Sequence, residues 1–373
     1  MNHSNRIASI DIARGLVMLL MTVDHVRETF YLQHQVGDPM ELATTSPALF
    51  FSRLAAHFCA PMFVFLTGLS AWLYAHPPGG PRDATGFLVK RGLLLVGLEL
   101  TVVNFAWTGS LMPSILYLQV IWAIGLAMLV LALLHRLPLA VLGLLGAAIV
   151  AGHNALHCMP EPGSFAAAAW TILEQRGFLL EGPVRVKVSY PLLAWIGVIL
   201  LGYAAGPLYA RATSPALRRR RLLAIGTASL ALLAVLRGVD AYGEPVPWAA
   251  QAQPLLTAMS FLNFTKYPPS LDFVLLTLGA GCIVLALVER PMHWTGIAAV
   301  FGGAPLFYYL LHLYALLALQ RSAAAVLGVP RADVGHVWQV WLITALLAAA
   351  LYWPTRRFGQ YKRSSGKAWV RYF

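Results

Sequence analysis

Asp24 and His25 stand side by side in VDHV, near the end of an apolar run that reaches from Ile7 to Tyr31. Histidine has an ordinary pKa of ~6.5, nearest the working pH, so it suits the removal of a proton from an amine or hydroxyl. A carboxylate beside it can orient the imidazole and stabilise its protonated form. His57, in AAHFCAP, and His312, in FYYLLHLY, are two more histidines set among apolar residues. Neighbours on a helix point about 100° apart, so Asp24 does not face His25. The expectation is that Asp24 orients a histidine of another segment, His57 or His312, and that His57 or His25 is the general base. Tyr308 lies one turn before His312 and offers a hydroxyl to the imidazole or to a substrate; the alternative is an interhelical hydrogen bond that only packs the bundle. Lys266, in TKYPPS, either holds an acidic or phosphorylated molecule or carries its ammonium to an interface.

The element that must position Asp24 and His25 also carries Asp11 and Arg14 at its other end. At ~1.5 Å per residue the stretch from Asp11 to Asp24 covers roughly 20 Å, which sets the two polar pairs near opposite faces of a bilayer. An ionised group deep in a membrane helix costs at least ~2.5–3.5 kcal/mol and therefore faces a partner or a wet cavity. Composition agrees with a membrane setting: 11% of the 373 residues are charged and 59% are hydrophobic, against about 25% charged in a soluble domain.

The chain reads as all-α, a single polytopic membrane domain over residues 1–373 with about ten spans. These are Ile7 to Tyr31, Leu54 to Ala75, Gly86 to Trp107, Ile115 to Leu134, Pro138 to Gly152, Tyr190 to Tyr209, Leu222 to Leu236, Leu271 to Val288, Ile297 to Leu319 and Trp338 to Trp353. A polar loop runs from Gln33 to Arg53, and Phe165 to Phe178 is a surface helix. Pro254 to Phe264 is too short to cross and reads as a re-entrant or buried piece, which needs its backbone satisfied by protein or water. Gly15 and Gly68 mark places where helices approach closely.

The net charge of +12 would suggest nucleic acid in a soluble protein. Here the basic residues cluster between spans, as at Arg218 to Arg221 and after Trp353, so nucleic-acid binding is set aside and both termini are placed in the cytoplasm. The three cysteines, Cys59, Cys158 and Cys282, have neither zinc nor disulfide spacing, and no metal is expected. No Walker A, dinucleotide fingerprint or HExxH is present.

Five stretches, SIDIARGLVMLLMTVDHVR, HFCAPMFVFLTGLSAWLY, YPLLAWIGVILLGYAAGPLY, TKYPPSLDFVLLTLG and APLFYYLLHLYALL, occur in that order. Together they resemble the bacterial membrane family of unknown function related to heparan-α-glucosaminide N-acetyltransferase, over nearly the whole chain. The resemblance implies an acyltransferase of the bacterial inner membrane. It would take an acetyl or other acyl group from cytosolic acetyl-CoA or another acyl-CoA and pass it to a sugar or envelope glycan outside. The family's catalytic asparagine falls at Asp24, a departure, and its catalytic histidine falls nearest His57, at a different spacing from FVF. His312, Tyr308 and Lys266 would then line the acceptor side. The donor's phosphates call for cations at the inner face: Arg14, Lys90 and Arg91, although Asp11 also stands ready to neutralise Arg14. Membrane lipids are the expected surroundings, and a homodimer is left open. The competing reading is a proton-coupled transporter or flippase of a polar solute or lipid-linked sugar, with the same Asp and His residues relaying protons.

Overall fold

The computed structural model describes residues 7–158, 160–180, 182–290 and 295–373. In chain order its elements are α1 (Ala8–Phe30), α2 (Pro47–Ala56), α3 (Cys59–Ala75), α4 (Thr85–Leu98), α5 (Asn104–Thr108), β1 (Ile115–Leu118), α6 (Val120–Leu134), α7 (Leu139–Gly152), α8 (Phe165–Leu173), β2 (Gly177–Leu180), β3 (Arg185–Val188), α9 (Leu193–Ala204), α10 (Pro215–Val239), α11 (Pro254–Phe261), α12 (Leu271–Leu287), α13 (Thr295–Gly303), α14 (Pro305–Leu327) and α15 (Val337–Ser364). They divide into two compact units, residues 1–59 with 281–373, and residues 60–280, the second boundary falling inside α12.

In the first unit α1 is the central helix and packs against α2, α13, α14 and α15. Its crossing with α13 brings backbone against backbone. A Cβ on Gly15 would sit 1.7 Å from the Ala298 carbonyl oxygen, and one on Gly302 would sit 1.8 Å from that of Asp11. Only glycine permits so close an approach of the two backbones. Ser46 caps α2 by accepting from the Leu49 amide, with Pro47 at the first helical position. Gly328, at φ +65°, closes α14 in the left-handed conformation.

The second unit repeats the device between α3 and α9, where Gly68 meets the Ile199 carbonyl and Gly202 that of Phe65. A π-helical segment, Glu99–Val103, joins α4 to α5. The buried Glu99 carboxylate accepts from the Trp122 amide at 3.2 Å and so caps the start of α6. Arg237, fully buried near the end of α10, donates to the carbonyls of Phe261, Ser260 and Asn263. It thereby satisfies the end of α11, the short apolar piece whose backbone the sequence required to be satisfied.

The architecture is mostly helical, with one sheet that the all-α expectation lacks: β3 lies parallel to β1 and antiparallel to β2, in the order β1-β3-β2. The segment Ile115 to Leu118, read as the start of a span, is therefore a strand, and α6 begins at Val120. The expected span Ile297 to Leu319 is two helices, α13 and α14, which meet at Ala304 before Pro305. Proline cannot donate to a continuing helix but suits the first turn of a new one.

Four helical stretches among the described residues are long and apolar enough to cross a membrane: Pro47–Ala75, Pro215–Val239, Pro305–Leu327 and Val337–Ser364. Four shorter apolar helical stretches accompany them, Val120–Leu134, Leu139–Ala155, Leu193–Tyr209 and Leu271–Leu287.

Candidate active site

The residues with chemistry in the first unit form two clusters, both fed by the end of α1. Asp24 enters the first. Its Oδ1 accepts from Arg27 Nε at 3.0 Å, and its Oδ2 pairs with Arg53 Nη1 of α2. Arg53 turns its other nitrogen to Asp38 Oδ2, and Asp38 Oδ1 lies 3.0 Å from His57 Nε2. Arg27 and Arg53 are 3% exposed and His57 is 0% exposed, so this ionic network is sealed at its His57 end, while Asp24 at the other end is half-buried. Arg53 lies four residues before His57, which sets the two on one helical face.

His25 enters the second cluster. Its Nδ1 is 2.7 Å from His312 Nε2 on α14. The ring centroids are 5.0 Å apart with planes within 8°, and with the nitrogens this close the rings meet end-on in one plane instead of stacking. His312 Nδ1 lies 3.0 Å from the backbone carbonyl oxygen of Tyr308. The Tyr308 ring stacks on the His312 ring at 5.4 Å. The Tyr308 hydroxyl is 2.9 Å from Thr22 Oγ1, which itself donates to the Met18 carbonyl at 2.9 Å. A hydroxyl has one proton to give, so Tyr308 is the donor to Thr22. His312 and Tyr308 are fully buried, whereas His25 is half-buried.

The structure thus brings together His25, His312 and Tyr308 in one group and Asp24 and His57 in the other. Asp24 holds Arg27 and Arg53 through its two oxygens, and Asp38 places a carboxylate on His57. Asp38, Arg53, Arg27 and Thr22 escaped the sequence reading. The spacing of Arg53 and His57 was a usable signal for one of them, whereas nothing in a polar loop singles out Asp38. Arg14 meets Asp11 at 3.6 Å, the neutralising contact named as its alternative.

Lys266, Lys90 and Arg91 belong to the second unit. Lys266 is buried, its ammonium 5.2 Å from the Tyr267 ring centre. Lys90 is exposed and Arg91 half-buried on α4. The same unit has an open cleft of about 310 Å³, lined by His76, Arg82, His135, Arg136 and Tyr203 among others. Arg82 covers the Tyr74 ring at 3.6 Å, and Arg136 reaches Asp83 at 3.2 Å. The Thr85 hydroxyl and amide, with Arg136 beside them, hold the Asp83 carboxyl down at about 2. Burial lowers the pKa of His135 below its ordinary value. Among the described residues no group of three or more His, Cys, Asp or Glu is placed to hold a metal ion.

A family model for the catalytic part of heparan-alpha-glucosaminide N-acetyltransferase matches residues 6–236, which takes in both α1 and the loop bearing Asp38, and leaves α14 outside the match. No curated protein matches the chain.

Proposed function

Because the chain belongs to the heparan-alpha-glucosaminide N-acetyltransferase catalytic family, we propose that it is a membrane acyltransferase. Acetyl-CoA or another acyl-CoA is the donor on the cytoplasmic side, and a sugar or envelope glycan is the acceptor on the outer side of a bacterial inner membrane. The chain crosses about ten times, with α1 entering from the cytoplasm and both termini returning there. Lipid covers apolar faces such as that of α10, where the 18-residue apolar window is only 22% buried. A homodimer fits the same faces.

His25 is the general base, and the observation that carries this is access. His25 is the half-buried member of a hydrogen-bonded imidazole pair, whereas His57 is sealed within an ionic network. A base must come within hydrogen-bond reach of the proton it removes. The acceptor's N–H or O–H proton passes to His25 as its nitrogen or oxygen bonds to the acyl carbon. The C–S bond then breaks, and the imidazolium returns the proton to the departing thiolate. Asp24, on the next residue, fixes the end of α1 through Arg27 and Arg53, and the His57–Asp38 pair holds α2 to the preceding loop.

The donor's phosphates are taken by cations at the inner face. Arg82 and Arg136 line the open cleft with His76 and suit this role by exposure, the Arg136 side chain being 72% exposed against 20% for Arg14, although each of Arg136 and Arg14 also meets an aspartate. Lys90 and Arg91 stand on α4, whose first residue, Thr85, binds His135 of the same cleft at 2.9 Å. Lys266 is kept as an acceptor-side cation.

The transporter or flippase reading needs a path along which protons move. His312 Nδ1 ends on a backbone carbonyl, which accepts a hydrogen bond but passes no proton on, so the cluster is a poor relay. The deciding experiment is purified protein in proteoliposomes with radiolabelled acetyl-CoA outside and a panel of amino sugars and glycans inside. Label appearing on an acceptor, and absent with His25→Ala, supports the enzyme. Solute movement driven by a pH gradient, with no acyl-CoA consumed, replaces it with the transporter.

A further inference from the structure

His25 and His312 form a pair whose internal hydrogen bond has a direction, and that direction decides which nitrogen of His25 is basic. The Tyr308 carbonyl oxygen beside His312 Nδ1 has lone pairs and no proton, so Nδ1 is the donor in this 3.0 Å contact. A neutral imidazole carries one N–H. With its proton committed at Nδ1, His312 presents a lone pair at Nε2, towards His25. The 2.7 Å contact therefore requires His25 to donate from its own Nδ1. The proton of neutral His25 is thus fixed at Nδ1, and the lone pair sits on Nε2.

The other assignment would make His312 a doubly protonated imidazolium that donates through both nitrogens. His312 is 0% exposed, stacked on Tyr308 and flanked by Tyr309. A cation there would be stripped of water with two neutral acceptors as its company, a costly arrangement. The neutral pair is the one the surroundings favour.

We infer that His312 is a positioning residue which locks His25 in the Nδ1–H tautomer and so makes Nε2 its basic nitrogen. The tautomer follows from the geometry alone, and its use in catalysis rests on the acyltransferase reading above. When His25 takes a proton at Nε2, its Nδ1–H remains hydrogen-bonded to His312 Nε2, which steadies the imidazolium in the place that a carboxylate holds in other base assemblies. Tyr308 acts one step further out: its carbonyl sets the tautomer of His312, and its hydroxyl bond to Thr22 ties α14 to α1 beside the pair.

The test has a spectroscopic arm and an activity arm. The full chain is labelled with 15N,13C-histidine, reconstituted in liposomes at about pH 8, above the ordinary histidine range, and read by solid-state NMR. His25→Asn and His312→Gln identify the two spin systems by difference. The expected result is a protonated Nδ1 and a bare Nε2 on His25, with a direct coupling across to His312 Nε2. In His312→Phe the lock is lost and His25 becomes a mixture of tautomers. His312→Gln, whose amide oxygen can accept the same bond, retains the Nδ1–H form and also serves if the phenylalanine variant does not fold. In the activity arm His312→Phe lowers kcat at least about tenfold with donor affinity unchanged, and His312→Gln recovers part of that loss. His25 found as Nε2–H in the parent protein overturns the inference, as does an active His312→Phe enzyme with its kcat intact. A locked Nδ1–H tautomer in a protein that acylates no acceptor would overturn the acyltransferase reading and leave the lock standing.

Discussion

Asp24 and His25 are consecutive residues, yet each feeds a polar cluster of a different kind. The cluster around Asp24 is ionic: two arginines and two aspartates alternate and close on His57, with every member buried or nearly so. The cluster around His25 is built of two imidazoles, a phenol and a threonine hydroxyl joined by hydrogen bonds. A buried charge network costs much to break because each member left alone is an uncompensated charge. A neutral hydrogen-bonded pair loses less when cut and can gain or lose a proton without dismantling its neighbours. The acyltransferase proposal accordingly puts structure in the first cluster and chemistry in the second. The helical turn of about 100° per residue lets one end of α1 serve both.

The severest way to break this contrast is Arg53→Met. Asp38 and Asp24 would each lose the arginine they share, so the first unit should lose about 3–5 kcal/mol, read as thermal unfolding in detergent. Adding Asp38→Asn to Arg53→Met should recover part of the loss, because the stranded charge goes with it. A single variant as stable as the parent would mean that the network is not the structural member of the pair.

Exchanging the two histidines sharpens the comparison. His25→Ala should lower acyl transfer by about 10²–10⁴-fold, the usual share of a general base, while stability falls by no more than about 1–3 kcal/mol, the cost of a buried His312 nitrogen left without its partner. His57→Gln should do the reverse, since the glutamine amide can still donate to Asp38. Its transfer rate should stay within a few-fold of the parent, with a modest drop in unfolding temperature. Equal loss of rate in both variants would place His57 in the chemistry as well.

Much of this division was open to reading in the sequence, and the remainder was not, for physical reasons. The polar ends of α1, the close approaches at Gly15 and Gly68, and the pairing of Tyr308 with His312 on one helix face all follow from spacing. Helical periodicity also showed that Asp24 and His25 point apart, but it could not show what each meets. Asp38 lies in an irregular loop, where no period links it to His57, so nothing in the spacing singles it out. The strand Ile115–Leu118 was absorbed into a span because a four-residue apolar run has the same hydropathy in either conformation. Pro305 could have been read as a helix start, and the break before α14 matters because it allows Tyr308 and His312 to belong to a helix separate from α13.

The gentlest probe is Thr22→Val, which keeps the shape of the side chain and removes the oxygen that accepts from Tyr308. The phenol proton then has no acceptor at Thr22 in a buried site, so stability should fall by about 1–3 kcal/mol, the cost of a buried donor left unsatisfied. The change lies on the neutral side of the comparison but outside the imidazole pair. The Tyr308 backbone carbonyl still accepts from His312 Nδ1, and the His25 tautomer is still set. Acyl transfer should therefore change by less than about threefold, measured beside His312→Phe in the same preparation. A Thr22→Val enzyme as slow as His312→Phe would show that the two imidazoles act only through the tie between α1 and α14, and the distinction between holding the helices and aiming the base would fail at this site.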